Sequence, residues 1–198
     1  MKIKNKNTKS FQKKENSKLK RRLLKLWSKA VKEKEDFTCI YCGSKRGEPN
    51  KSNPNSFIKI DAHHILQKEI ANCPLKYDIR NSAVLCSSCH KFNGEHSAHK
   101  SPIVFYDWFR KKYPDRYDFI LNNSNIRVDL DNRLILEEIE KKLTVNEPLD
   151  ISRLKEIERQ FPRTVKTRKP KNNPPDDLFS DDDVDDDDEK SSSSSEST

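Results

Sequence analysis

Hydrophobic side chains recur at helical spacing in several stretches of the chain. From residue 19 to about residue 36, apolar residues return every three or four positions among lysines and arginines, which predicts a basic amphipathic helix. Residues 102–112 carry an aromatic stripe, a second short helix follows Pro114, and residues 133–143 and 150–161 repeat the helical pattern. Stripes of this kind usually pack in a core, so we expect a mainly helical frame.

Two short strand signals lie between the first helix and the aromatic stripe. Residues 57–61 predict a short strand with Phe57 and Lys59 on one face and Ile58 and Ile60 on the other, and residues 83–85 form a short apolar run. Residues 43–56, which are rich in glycine, proline, asparagine and serine, predict a loop. Residues 66–82 predict a long ordered loop, and residues 86–96 a helix. Short strands framed by helices predict an α+β fold.

The two ends of the chain lack this periodicity. Residues 1–18 are mostly lysine, asparagine and serine, and residues 163–198 pass from a basic, proline-containing stretch into aspartates and serines. Such compositions bury too little apolar surface to order themselves, so both ends are predicted to be disordered. The interior is then expected to comprise a domain at residues 19–122 and a helical extension at residues 123–162.

Charge is distributed unevenly along the chain. The net charge is +8, but residues 1–175 carry 39 basic against 21 acidic side chains, and residues 176–198 carry one basic against eleven acidic. A field of positive sign attracts polyanions, of which nucleic acid is the commonest, although an ordinary solvated surface has a similar composition. The candidate phosphate contacts on the first helix and the following loop are Lys20, Arg21, Arg22, Lys25, Lys45 and Arg46.

Four of the five cysteines form two Cys-x-x-Cys pairs, Cys39 with Cys42 and Cys86 with Cys89. The chain shows no hydrophobic signal segment and no apolar run long enough to span a bilayer, so we expect a cytoplasmic protein without a membrane partner. In a reducing compartment, two such pairs predict a structural zinc ion held by four thiolates. Cys73 has no partner motif and is expected to be a free or buried thiol.

Three histidines and an asparagine accompany the cysteines, and a purely structural zinc ribbon requires none of them. His63 and His64 follow the first strand signal, Asn81 precedes the second cysteine pair, and His90 follows it. Neighbouring residues of a strand point to opposite faces, so the two adjacent histidines are expected to have different roles. One can bind a metal together with His90 while the other faces a substrate.

The order of these residues resembles that of the zinc-containing HNH endonucleases of phages and mobile elements. The matching residues are Cys39 and Cys42, Asp61-Ala62-His63-His64, Asn81, and Cys86 and Cys89 followed by His90. The resemblance covers about residues 37–97 and implies a ββα-metal (His-Me finger) core with a structural zinc bound by four cysteines, flanked by additional helices. A phage origin would place the protein in the host cytoplasm.

The resemblance also implies residue roles. His64 corresponds to the general base, His63 and His90 to ligands of a catalytic divalent ion, and Asn81 to the residue that orients the base-bearing segment. Asp61 matches an acidic position and is a further candidate ligand of that ion. A segment after the motif, with His96 and His99, is similar to one that contacts phosphate, and His96 stays open as an additional metal ligand.

The function implied is hydrolysis of DNA phosphodiester bonds with one Mg²⁺ or Mn²⁺ ion and no small-molecule cofactor. A near-neutral imidazole can deprotonate water, and a dication can stabilise charge on the phosphorus centre and the leaving oxygen. The expected products carry 5′-phosphate and 3′-hydroxyl ends. Two other interpretations stay open: a catalytically silent zinc module that binds nucleic acid or scaffolds a larger machine, and an adaptor whose acidic tail recruits a basic partner.

Overall fold

Helices and two small antiparallel sheets share one hydrophobic core in the computed structural model, which describes residues 6–50 and 53–162. This mixed architecture confirms the predicted α+β class. The helices are α1 (Lys6–Lys34), α2 (Pro102–Lys112), α3 (Pro114–Asn123), α4 (Arg133–Thr144) and α5 (Ile151–Gln160). The strands are β1 (Pro49–Asn50), β2 (Asn53–Phe57), β3 (Ile60–His63) and β4 (Ala83–Cys86).

Helix α1 packs against α4 and the β3–β4 hairpin. Its apolar stripe is buried, as the spacing predicts, and consists of Leu19, Leu23, Trp27, Ala30 and Val31. The helix begins at Lys6, well before the predicted start near Leu19, so residues 6–18 are helical where a flexible arm was expected. A distant contact stabilises this polar half, because the Asn16 side chain donates a 2.7 Å hydrogen bond to the carbonyl of Asp131. Residues 1–5 lie outside the described part of the chain.

Strands β3 and β4 form the hairpin that carries the candidate site. Ile60 pairs with Cys86 and His63 pairs with Ala83. The predicted strand over residues 57–61 is divided, since β2 ends at Phe57 and β3 begins at Ile60. The predicted loop over residues 43–56 contains β1 and the start of β2, which pair with each other. Backbone hydrogen bonds hold this pair together, and the two strands show little alternation of apolar and polar residues. The composition of the segment therefore did not indicate strands.

The segment after β4 differs from the helix predicted over residues 86–96. Only a single π-helical turn forms, at Ser88–Phe92, and the Asn93 side chain then accepts hydrogen bonds from the backbone N–H groups of Glu95 and His96. The chain next folds back, and the N–H of His99 donates to the carbonyl of His90 at 3.2 Å. This reversal places His99 beside His90.

The C-terminal helices confirm the predicted pattern closely. Asn132 and Asp150 cap α4 and α5, because each side chain accepts a hydrogen bond from a backbone N–H in the first turn. The apolar side of α4 packs on α1, so residues 123–162 share the core of the predicted domain. In the described residues, no helix combines the length and apolar character that a membrane crossing requires. The predicted disordered tail at residues 163–198 lies outside the described residues.

Candidate functional site

The four paired cysteines converge on one point at the base of the β3–β4 hairpin. Their sulfur atoms all lie within 4.8 Å of one another, and the Sγ atoms of Cys42 and Cys86 are 3.7 Å apart. A tetrahedron with bonds of about 2.3 Å has edges of about 3.8 Å, so this separation suits a zinc ion. The backbone N–H of Ile40 bonds to the carbonyl of Val84 and joins the first pair to β4. The four cysteines can therefore hold a structural metal such as zinc.

The thiols also influence one another electrostatically. Hydrogen bonds with Cys39 and Cys89 lower the pKa of Cys86 to about 3, whereas hydrogen bonds with Cys39 and Cys86 raise the pKa of Cys89. Clustered thiols can thus stabilise one thiolate at the expense of another, whereas a bound dication would stabilise all four. His96 lies at this cluster. Its Nε2 is 3.8 Å from the Cys89 sulfur, and its ring stacks on Tyr41 at 4.5 Å.

A second group of metal-binding side chains consists of three histidines. His63 ends β3, His90 lies in the π-helical turn, and His99 follows the chain reversal. One ring nitrogen from each lies within 4.8 Å of the others, and the Nε2 atoms of His90 and His99 are 3.1 Å apart. We name this group the histidine cluster. His99 is exposed, so the cluster is open to solvent on that side.

The histidine cluster passes a direct test of fit to a metal ion. Nε2 of His63 is buried and has no hydrogen-bond partner among the described residues, although buried polar atoms are usually paired. Burial is the main factor that lowers the pKa of His63 to about 3, so its ring is neutral at pH 7. A dication would bind this buried nitrogen together with those of His90 and His99. The sequence predicted His63 and His90 as metal ligands, and it predicted a phosphate contact for His99.

Asp61 lies beside the histidine cluster on the face of β3 that also carries His63. Its Oδ2 is 3.4 Å from Nδ1 of His90, while Nε2 of His90 faces His99. The two ring nitrogens point in different directions, so Asp61 contacts the nitrogen that does not face the cluster. In this geometry Asp61 is placed to orient the His90 ring, and it lies outside the group of three converging histidines. Its role as a metal ligand stays a prediction.

Replacing Asp61 by alanine is expected to weaken metal binding at the histidine cluster by about 10- to 100-fold, because carboxylates that orient a ligating histidine contribute this much to affinity. Calorimetric titration of zinc-loaded protein with Ni²⁺ would measure the change. Asp107→Ala is the matched control, since Asp107 is a carboxylate on α2 that pairs with Arg110 and Lys111. Equal Ni²⁺ affinities for the two variants would contradict the assignment.

His64 occupies a different environment from its neighbour. Its ring stacks on Trp27 of α1, with 3.7 Å between centroids and 12° between planes, and its Nε2 is 2.9 Å from the carbonyl oxygen of Lys76. A carbonyl only accepts hydrogen bonds, so Nε2 carries the proton and Nδ1 retains a lone pair. Burial lowers the pKa of His64 to about 4, so the ring is neutral at pH 7. His64 is therefore a neutral imidazole with a fixed tautomer.

Asn81 holds the long loop that supports His64. It is fully buried, its Oδ1 accepts from the N–H of Leu66 at 2.6 Å, and its Nδ2 donates to the carbonyls of Leu66 and Leu75. Leu75 lies in the 3₁₀ turn Pro74–Tyr77, which also supplies the Lys76 carbonyl. The Asn81 amide thus connects the residues after His64 to the turn that binds its imidazole.

Several of the basic residues predicted to contact phosphate have acidic partners. Lys20 pairs with Asp131 at 2.5 Å, Arg22 with Glu140 at 2.6 Å, and Lys45 with Asp36 at 2.9 Å. The first two pairs fix α1 to the C-terminal part of the fold, which sequence alone could not indicate. These pairs reduce the positive field at those three positions, while Lys25 and Arg46 together line a cleft beside α1.

Comparisons with protein-family models, with curated proteins and with solved structures return no match to this chain. Function must therefore be inferred from the side chains themselves.

Proposed function

We propose that this protein is a zinc-stabilised endonuclease of the HNH type that hydrolyses DNA phosphodiester bonds. The observation that carries the proposal is the juxtaposition of two different histidine sites at the end of β3. His63 contributes to a cluster that suits a metal ion, and the next residue, His64, is a neutral imidazole of fixed tautomer. A hairpin followed by a turn that carries His90 also supports a ββα-metal core.

The donor set bears on which ion the histidine cluster would hold. Imidazole ligands suit first-row transition ions, whereas Mg²⁺ prefers carboxylate, carbonyl and water oxygens. Three histidines with Asp61 turned toward His90 therefore favour an ion such as Ni²⁺ or Zn²⁺ over Mg²⁺. The exposed position of His99 leaves that side accessible to a phosphate group. A bound dication would polarise the phosphoryl oxygens and stabilise the leaving 3′ oxygen.

The chain's own residues divide the remaining tasks. Nδ1 of His64 accepts a proton from the attacking water, while the hydrogen bond from its Nε2 to Lys76 keeps the ring in the required tautomer. Asn81 holds the loop that supplies this carbonyl. Attack on phosphorus with departure of the 3′ oxygen leaves a 5′-phosphate and a 3′-hydroxyl. The four cysteines replace part of the core that these short strands cannot supply.

The test is conversion of supercoiled plasmid by zinc-loaded protein. We expect nicking to be faster with Mn²⁺ or Ni²⁺ than with Mg²⁺ at equal concentration, because three imidazoles bind the transition ions more tightly. His63→Ala is the informative variant, since it removes the buried nitrogen without a partner. If the wild type binds DNA but fails to cut supercoiled, linear, branched or single-stranded DNA with any of these ions, the catalytically silent zinc module becomes the better explanation.

A further inference from the structure

A basic concave surface lies between α1 and the start of β3. Two adjoining clefts form it, and both are lined by Lys32 and Arg46. We name this surface the α1–β3 groove. Its charged lining consists of Lys25, Lys29, Lys32, Glu33, Arg46, Lys59 and Asp61.

Helical spacing aligns the cations of the groove. Lys25, Lys29 and Lys32 follow one another at intervals of four and three residues, so they form one stripe on α1. Glu33 pairs with Lys29 at 3.6 Å, and the guanidinium of Arg46 lies 5.4 Å from the centroid of the Phe37 ring. Five basic residues against two acidic ones leave the groove positively charged.

Two cations earlier along α1 have acidic partners from the C-terminal part of the fold. Lys20 pairs with Asp131, and Arg22 pairs with Glu140. Within the groove, Glu33 pairs with Lys29 and Asp61 lies at one end, so Lys25, Lys32, Arg46 and Lys59 supply most of its positive charge.

The groove also leads toward the histidine cluster. Lys59 directly precedes β3, and side chains alternate along a strand, so Lys59, Asp61 and His63 project toward one face. Asp61 ends the groove and contacts His90 of the cluster. A polyanion bound along the groove would reach the metal-binding nitrogens at this end.

The residues that line the groove suit a phosphate backbone better than stacked bases. Proteins that bind single strands present aromatic faces to successive bases. Phe37 is the aromatic residue of the groove lining, and Arg46 lies over its ring. Lysine and arginine side chains instead bind phosphates without regard to sequence.

From these observations we propose that the α1–β3 groove binds the sugar-phosphate backbone of duplex DNA and directs it to the histidine cluster. This inference rests on the proposed function and names the surface that would hold the substrate. Lys32 and Lys59, which the sequence pattern did not single out, line the same cleft as Asp61, which ends the groove. Binding at this surface would be independent of DNA sequence.

The experiment measures affinity for a fluorescent duplex at several salt concentrations, in a His64→Ala background that prevents cleavage. The double variant Lys32→Ala/Lys59→Ala should lower the slope of log K against log salt by about 1.8, since each lost phosphate contact contributes about 0.9. Lys141→Ala/Lys155→Ala is the control of equal charge, with both lysines on the exposed faces of α4 and α5. The control variant should lower the salt slope much less than the groove variant does.

The outcomes separate this inference from the proposed function. A smaller slope in the groove variant supports the groove, whether or not the wild type cuts plasmid. If Lys32→Ala/Lys59→Ala and Lys141→Ala/Lys155→Ala give equal salt slopes, the groove does not bind DNA, even if the wild type cuts plasmid. A labelled single strand that binds as tightly as the duplex, and loses as much affinity in the groove variant, would also overturn the assignment to duplex DNA.

Discussion

Replacing His64 by alanine is expected to lower the rate of plasmid nicking by about 10²- to 10⁴-fold, which is the contribution of a positioned general base. The reason is the tautomer that Lys76 imposes. Nε2 is committed to the Lys76 carbonyl, so Nδ1 is the only ring nitrogen of His64 that can accept a proton. Initial nicking rates at saturating DNA would measure the change, with DNA affinity expected to stay near that of the wild type.

His96→Ala provides a matched control for this prediction. The His96 ring is also half-buried and also stacks on an aromatic side chain, Tyr41, but it lies at the cysteine cluster. It should retain most of the nicking activity once its zinc content is shown to be intact. Equal losses of nicking activity in His64→Ala and His96→Ala would indicate damage to folding. Full nicking activity in His64→Ala would show that His64 is not the general base. Added imidazole should partly restore His64→Ala by entering the space against Trp27.

The His64 ring is held by parts of the fold that lie outside the motif. Trp27 stacks on His64 and donates from its indole Nε1 to the carbonyl of Asp78 at 3.0 Å. The Asp78 carboxylate is fully buried, binds Arg80 and accepts from the N–H of Leu149. Helix α1 and the segment before α5 therefore both contact the turn that supports the imidazole. This connection gives the surrounding helices a positioning role.

The different environments of His63 and His64 could be predicted from the sequence because the cause is local. Alternation along a strand requires neighbouring side chains to separate, and the structure places the two rings against different partners. The convergence of four cysteines could be predicted for a similar reason, because two Cys-x-x-Cys pairs match the ligand count of zinc. Each inference needed only residue type and spacing.

Features that depend on distant parts of the chain could not be predicted in this way. His99 reaches the histidine cluster because Asn93 ends the π-helical turn and the chain folds back, and no periodic pattern encodes that reversal. Residues 6–18 are helical although their composition favours disorder, and Asn16 there bonds to the carbonyl of Asp131. Likewise, Lys20 has an acidic partner more than a hundred residues away. Tertiary contacts decided each of these cases.

Loss of the cysteine-bound metal is expected to destabilise the fold strongly. Structural zinc binding supplies on the order of 10 kcal/mol, comparable to the roughly 5 to 15 kcal/mol total stability of a domain. Cys42→Ser tests this well because Cys42 is exposed, so the substitution removes a ligand with little change in packing. We expect a loss of at least about 3 kcal/mol in the free energy of unfolding, measured by denaturant titration.

Cys73→Ala is the matched control, since Cys73 is a buried cysteine outside the cluster. Cobalt substitution separates the two metal sites, because only the cysteine cluster gives thiolate-to-cobalt charge-transfer absorption. That absorption should fall in Cys42→Ser and persist in Cys73→Ala, while the histidine cluster contributes nothing to it. If Cys42→Ser keeps both the absorption and the stability of the wild type, the cysteines do not hold a structural ion. The β3–β4 hairpin would then have to be stabilised by packing alone, chiefly against α1.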